Sequence, residues 1–377
     1  MKKIQMVDLK GQYENIKETV NNSIQEVLDT NAYINGPQVH TFQKNLEMYL
    51  DVKHVIPCAN GTDALQIAMM GLDLQPGDEV ITADFTFAAT VEVIALLHLT
   101  PVLVDVDMVN MNISIEAIKK AITPRTKAIV PVHLFGRAAN MEAIMQIANE
   151  HNLYVIEDNA QAIGANCNFS DGTRRKVGTV GHVASTSFFP SKNLGCYGDG
   201  GAIFTNDDAL AHKIRGIANH GMYVRYHHDV VGVNSRLDSI QAAVLNAKLP
   251  LIDTYNKARQ DAARKYTAAF GNHKNIVAPI ICDTCDCHVF HQYTLRIIDA
   301  DRDALMQHLQ DKGIPCAIYY PIPLHSQKAY QDPRYKEEDF PVTNQLVKEV
   351  ISLPMHTELD DEQIAFITSS VLEFFNS

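Results

Sequence analysis

Ser185-Thr-Ser187-Phe-Phe-Pro-Ser191-Lys192-Asn-Leu-Gly195-Cys-Tyr-Gly198-Asp-Gly200-Gly201-Ala-Ile-Phe-Thr205 starts as a short strand-like run, breaks at Pro190 and resumes as a second run, Ala202 to Phe204. Between the runs a single lysine sits among hydroxyls. Four glycines follow it in the seven-residue window 195–201, a composition that lets backbone approach a bulky ligand closely. An amine that forms Schiff bases needs such a setting, because it must be partly desolvated and hold a lowered pKa to act as nucleophile and base. On its own, however, the stretch favours an exposed lysine in a glycine-rich loop, the commonest fate of that residue.

On either side the chain alternates short apolar runs with segments of helical period, the pattern of a parallel sheet wrapped by helices. Strands are predicted at His54 to Pro57, Glu79 to Thr82, Pro101 to Val104, Ala128 to Pro131, Tyr154 to Ile156, Val183 to Phe188 and Ala202 to Phe204. Helices are predicted at Thr62 to Met70, Phe87 to Leu97 and Met141 to Glu150, after two amphipathic ones at Gln12 to Leu28 and Val39 to Leu50. Arg236 to Leu249 and a segment from Pro250 to about Phe270 are also helical. Beyond these come a strand, Tyr293 to Ile297, and two helices, Arg302 to Lys312 and Glu362 to Phe375. The expected fold is α/β, with a large domain over 1–250 and a smaller C-terminal α+β domain over 251–377. The chain ahead of about Val20 is a candidate to pack on the smaller domain. No repeat or flexible linker separates the two.

Open α/β sheets bind ligands outside the carboxyl ends of their strands. Three further strand ends carry suggestive residues. Cys58-Ala-Asn60-Gly61-Thr62-Asp63 leads through a glycine into a helix, whose free N–H groups make a phosphate seat; the same residues also suit a plain capped turn. Tyr154-Val-Ile-Glu157-Asp158-Asn-Ala-Gln161 runs an apolar strand into two carboxylates, which at that depth need a cationic partner such as a protonated pyridine nitrogen, or else cap the next helix. Thr86-Phe87 puts an aromatic where a helix is expected to open, to pack in the core or to stack on a ring.

The chain has 377 residues, 46% hydrophobic and 20% charged, which suits a packed protein. A formal charge of -12 argues against a nucleic-acid or anionic-membrane surface. No apolar run of membrane-spanning length and no signal-peptide core occurs, so a cytoplasmic protein with reduced thiols is expected. Cys282, Cys285, Cys287 and His288 crowd together, but the ligand quartet of a structural zinc site is incomplete, and no metal is expected.

Taken together, these strand ends resemble the DegT/DnrJ/EryC1/StrS sugar aminotransferases, pyridoxal-phosphate (PLP) enzymes of fold type I. The resemblance extends from Val7-Asp8-Leu9 through Gly77-Asp78-Glu79-Val80 to Ser352-Leu353-Pro354-Met355-His356. It implies a large, mixed, mostly parallel sheet and a homodimer with shared sites. It further implies that Lys192 carries PLP covalently, Asp158 keeps the pyridine nitrogen protonated, and Gln161 meets the ring or its oxygen. Phe87 would stack on the ring, while Gly61, Thr62, Asp63 and Ser187 would hold the phosphate. Asn234 would reach the phosphate of the neighbouring subunit's cofactor. The reaction implied cycles PLP through pyridoxamine phosphate, taking the amino group from a donor, usually glutamate, and giving it to a nucleotide-linked keto sugar. Arg225-Tyr-His-His228, Asn234-Ser-Arg236 and Tyr320-Pro-Ile-Pro-Leu324 look most like members that aminate UDP-2-acetamido-2-deoxy-3-oxo-glucuronate at C3 for surface polysaccharides. There Arg236 would meet the uronate carboxylate, or else form a structural ion pair with Asp238 or another acid. Tyr319 and Tyr320 would line the pocket, Tyr319 standing where a His is expected in those members. The alternatives are a 3- or 4-keto-6-deoxy sugar on dTDP or GDP as acceptor, or a non-catalytic PLP-binding regulator.

Overall fold

The computed structural model describes residues 2–281 and 286–376. In chain order, helices α1 (Leu9–Thr30) and α2 (Pro37–Leu50) lead into β1 (His54–Cys58), α3 (Gly61–Gly71), β2 (Glu79–Ala83), α4 (Ala89–Leu96) and β3 (Thr100–Val104). Next come α5 (Ile115–Ala121), β4 (Thr126–Val130), α6 (Met141–His151), β5 (Tyr154–Asp158) and the hairpin β6 (Asn166–Asn168) and β7 (Arg174–Lys176). They are followed by β8 (Val183–Ser187), β9 (Gly201–Thr205), α7 (Asp208–Ala218), the hairpin β10 (Met222–Val224) and β11 (His227–His228), and α8 (Ser239–Lys248). The chain ends with α9 (Ile252–Phe270), β12 (Ile276–Val277), β13 (Tyr293–Ile297), α10 (Arg302–Asp311), α11 (Pro341–Glu349), β14 (Val350–Leu353) and α12 (Asp361–Asn376).

Seven strands form one sheet in the order β1-β9-β8-β5-β4-β2-β3. All neighbours are parallel except β9, which runs against both β1 and β8. This is the expected mixed, mostly parallel sheet of a fold type I transferase. The carboxyl ends of β1, β2, β5 and β8 therefore meet along one edge. Strand residues alternate between two cores: Ile81, Ile129 and Val155 pack on one face, and Val80, Ala128, Val130 and Ile156 on the other. The two-residue period of a strand dictates this division.

A separate core joins α9, α10 and α12 to the sheet β12-β13-β14, with Tyr266, Tyr293, Leu295 and Leu305 at its centre. Ile4 is buried in it, and the Met355 N–H donates to the Met6 carbonyl at 3.2 Å. Helix α9 starts at Ile252 in the core that also holds Phe42 and Leu245, and finishes at Tyr266 and Phe270 in the core on β12-β13-β14, so one helix joins two cores. Three expectations shift. The helix expected from Arg236 begins at Ser239. The helix expected from Phe87 begins at Ala89, leaving Phe87 on the preceding turn, and β5 runs on to include both carboxylates. Cys282 and Cys285 lie outside the described residues. Among the described ones no cluster of three metal-ligating side chains occurs, and His288 instead stacks on Phe290 at 3.8 Å.

Candidate active site

The edge where β1, β2, β5 and β8 end opens into a cavity of about 520 Å³. Lys192, Asp158, Gly61, Thr62, Phe87, Gln161, Ser187, Tyr319 and Tyr320 all line it. Lys192 lies on a tight turn: its N–H donates to the Phe189 carbonyl at 2.8 Å, and Cys196 N–H to the Phe188 carbonyl at 2.8 Å. A Cβ on Gly195 would lie 2.3 Å from the Pro190 carbonyl oxygen, so the turn demands glycine there. Gly195 thus serves close approach of chain to chain. Gly201 likewise admits Asn60 against β9, where a Cβ would meet its carbonyl carbon at 2.4 Å. Behind the turn, the buried Lys248 ammonium donates to the Gly195 carbonyl at 2.7 Å.

Lys192 is half-buried, and burial lowers its ammonium to about 8, with Asp158 pulling the other way. Asp158 ends β5 on the face it shares with Ile156. It accepts the Thr90 hydroxyl at 2.8 Å and the Ala160 N–H at 3.1 Å. Glu157, one residue earlier, must face the other way. There it accepts the N–H groups of Gly178, Val180 and Gly181 at 2.7, 2.8 and 2.6 Å and lies 2.9 Å from His133 Nε2. Burial pushes its carboxyl up, but His133 and these N–H groups outweigh burial and hold it below the usual range. Of the two carboxylates, only Asp158 serves the cavity.

Gln161 is fixed at both ends, accepting the Phe135 N–H at 2.6 Å and donating to the Tyr320 hydroxyl at 3.1 Å. Phe87 is 57% exposed, its ring centroid 6.2 Å from that of Tyr320. At the start of α3, Asn60 accepts the Asp63 N–H at 2.8 Å. Cap and helix geometry leave the N–H groups of Gly61 and Thr62 for an outside acceptor. Asp63 itself does not line the cavity, and its N–H is occupied by the cap.

Asn234 and Arg236 also lie away from this cavity. Asn234 is exposed, and its backbone bridges to Asn219. Among the described residues Arg236 has no ion pair, with Asp238 or any other acid.

Sequence reasoning missed four contributors. Asn60 was quoted without a role, and Thr90 stands one helical turn beyond Phe87, a spacing that could have exposed it. Thr86 stands beside Phe87 at a strand end already singled out, without a role of its own, and His291 carries no local signal; neither shows its burial in sequence. Both line the cavity, and both leave a buried polar atom, Thr86 Oγ1 and His291 Nδ1, without a partner. Burial, then the Lys192 and Arg259 charges, holds His291 well below the ordinary imidazole range. Unpartnered buried polar atoms are costly unless a ligand or water meets them. With an anion seat at a helix start, a desolvated lysine and a fixed carboxylate, this cavity fits a phosphorylated pyridine aldehyde.

A family model described as the DegT/DnrJ/EryC1/StrS aminotransferase family matches residues 14–372. The chain is 44% identical over 374 residues to a "pleiotropic regulatory protein" of Geobacillus stearothermophilus, covering 99% of this chain and 98% of that protein. It is 45% identical over 374 residues to the UDP-2-acetamido-2-deoxy-3-oxo-D-glucuronate aminotransferase of Pseudomonas aeruginosa, covering 98% and 99%. The solved structure of NtdA from Bacillus subtilis with bound cofactor PMP superposes with a TM-score of 0.89 at 31% identity, over 96% of this chain and 82% of that one.

Proposed function

The chain belongs to the DegT/DnrJ/EryC1/StrS aminotransferase family, and from that premise we propose that it moves an amino group from glutamate to C3 of UDP-2-acetamido-2-deoxy-3-oxo-glucuronate, for a surface polysaccharide. Pyridoxal phosphate, cycling through pyridoxamine phosphate, supplies the electron sink for exchanging amino and keto groups. Lys192 and Asp158 facing one cavity carry the reading. With its ammonium lowered to about 8, Lys192 can take up and return a proton at Nζ in mildly alkaline solution. Asp158, held by Thr90 and Ala160, would face the pyridine nitrogen and keep it protonated. Gly61, Thr62 and Ser187 would hold the phosphate, with Phe87 and Gln161 against the ring and Asp63 supporting the seat from behind its cap. Tyr319 and Tyr320 would form the sugar wall, and Asn234 and Arg236 would enter from a second copy of the chain.

The choice of acceptor is supported by the Pseudomonas relative and by Arg236, which no acid neutralises among the described residues. No helix among those residues is long and apolar enough to cross a membrane. Free thiols at Cys58, Cys167 and Cys196 fit the reducing cytoplasm, where the reaction would run. The Geobacillus relative's name favours a second reading, a PLP-binding regulator without turnover, which Lys192 and Asp158 facing one cavity oppose.

Amination of a panel of UDP-, dTDP- and GDP-linked keto sugars, read by mass spectrometry, tests the proposal. The uronate should be aminated, and Arg236→Ala should cost about 2 to 5 kcal/mol in kcat/KM on it. The same change should spare turnover of neutral 6-deoxy sugars, and Arg236→Lys should rescue only in part. Activity confined to 6-deoxy sugars, or none at all, overturns the reading.

A further inference from the structure

Between Tyr320 and Leu324 the chain contains Pro321 and Pro323, neither of which has an N–H to donate. The segment 317–325 is therefore short of backbone anchors. At one end Ala317 and Ser352 exchange backbone hydrogen bonds at 3.2 and 2.7 Å. At the other, everything converges on Asp84, the residue immediately after β2. The Leu324 N–H donates to the Asp84 carbonyl at 3.2 Å. The His325 N–H donates to Asp84 Oδ1 at 2.7 Å, and His325 Nδ1 lies 2.7 Å from Asp84 Oδ2.

Both side chains are buried, and the His325 ring stacks on Phe340 at 4.4 Å with its plane tilted by only 9°. His325 Nε2 has no hydrogen bond; its nearest charge is Glu337, at 3.7 Å. Neither Asp84 nor His325 lines the cavity, yet each is tied to a segment that does. Asp84 stands just ahead of Thr86 and Phe87, and His325 closes the segment that carries Tyr319 and Tyr320. Phe85 and Phe87 both lie 6.2 Å from the Tyr320 ring.

We propose that Asp84 and His325 form a clasp that sets the spacing between the Phe87 and Tyr319–Tyr320 walls, and so positions the acceptor sugar without touching sugar or cofactor. They are positioning residues. The proposal rests on the reading of Tyr319 and Tyr320 as the sugar wall. It predicts that the two halves of the reaction separate. A small donor such as glutamate needs only the cofactor end of the cavity, whereas a nucleotide sugar needs both walls in register.

Holoenzyme of wild type, His325→Leu and His325→Asn would be compared. His325→Leu removes the polar contact from Nδ1, while His325→Asn keeps a donor near the same place. Bleaching of the visible cofactor band by glutamate alone reads the donor half. The KM for the nucleotide sugar that wild type turns over reads the acceptor half. His325→Leu should raise that KM about tenfold or more, leave bleaching within about twofold, and be largely rescued by Asn. Equal losses in both halves, or no loss in either, overturn the clasp. Backbone hydrogen exchange over residues 317–326 serves as a second measurement. It should accelerate in His325→Leu while β5 and β8 keep wild-type protection, and unchanged exchange would sink the clasp. A wild type that bleaches with glutamate but turns over no sugar overturns the acceptor reading instead, and the exchange data then decide the clasp.

Discussion

Lys192 carries its charge in a place that opposes it. Burial lowers its ammonium from an ordinary 10.5 to about 8, so below about pH 8 the folded protein bears the cost of a desolvated cation that the unfolded chain does not. Between about 8 and 10.5 the unfolded chain binds more protons, so this cost fades and stability rises with pH. In the cofactor-free protein, Lys192→Met should therefore be more stable than wild type below pH 8, by on the order of 2 to 3 kcal/mol. Denaturant titrations across pH would check that the advantage shrinks towards 10.5; a constant advantage would show that packing and not charge is responsible. At this scale the sequence was legible for residue types and less so for directions. Residue pattern alone ends β5 at Ile156 and does not separate Glu157 from Asp158; it is the family resemblance that points to Asp158. The strand's extension through both, with its alternation of faces, makes one a structural acceptor of three N–H groups and the other the cavity's carboxylate.

The element that prepares the anion seat is α3, and its approach to β8 depends on Gly61. A Cβ there would stand 2.7 Å from the Ser187 Cβ, so Gly61→Ala must push the helix start away from the strand end. The expected outcome is a folded protein whose affinity for PLP falls by about tenfold or more, since displaced N–H groups no longer converge on one phosphate. Equilibrium titration of apoenzyme by the visible band measures it, and unchanged affinity would show that the phosphate sits elsewhere. Most sheet strands and long helices were readable because apolar period and turn residues act locally. The short helix α5 and the strand β14 were not read, and neither was α7, although Asp207 caps it by accepting the Ala209 and Leu210 N–H groups. The opening of α4 shifts because the residues ahead of it are held at Asp84 by Leu324 and His325, an influence outside any local window.

In the whole molecule, one exposed region bears on the proposed second copy. Tyr226 is 75% and Val231 85% exposed, on and beside the β10–β11 hairpin, and the same region carries Asn234 and Arg236 away from the chain's own cavity. Exposed apolar groups gathered in this way suit contact with another copy. If two copies share their sites, mixing Lys192→Ala with Asn234→Ala subunits should restore part of the activity, because one of the two hybrid sites has an intact lysine and an intact asparagine. No recovery, with subunit exchange shown by native mass spectrometry, would place Asn234 outside the partner's site. The sequence by itself determined the α/β class, the order of the strands along the chain and the lysine and carboxylate at strand ends, because hydrophobic period, turn residues and motif spacing are written in neighbouring positions. Only the tertiary structure decided that Glu157 turns away to accept three backbone N–H groups, that Asp63 is withdrawn behind a cap, and that Thr90, His291 and the Asp84–His325 pair stand around the site. Those outcomes depend on sheet order and on contacts between residues up to 241 positions apart, as between Asp84 and His325, and burial alone turns such distant neighbours into a shared environment.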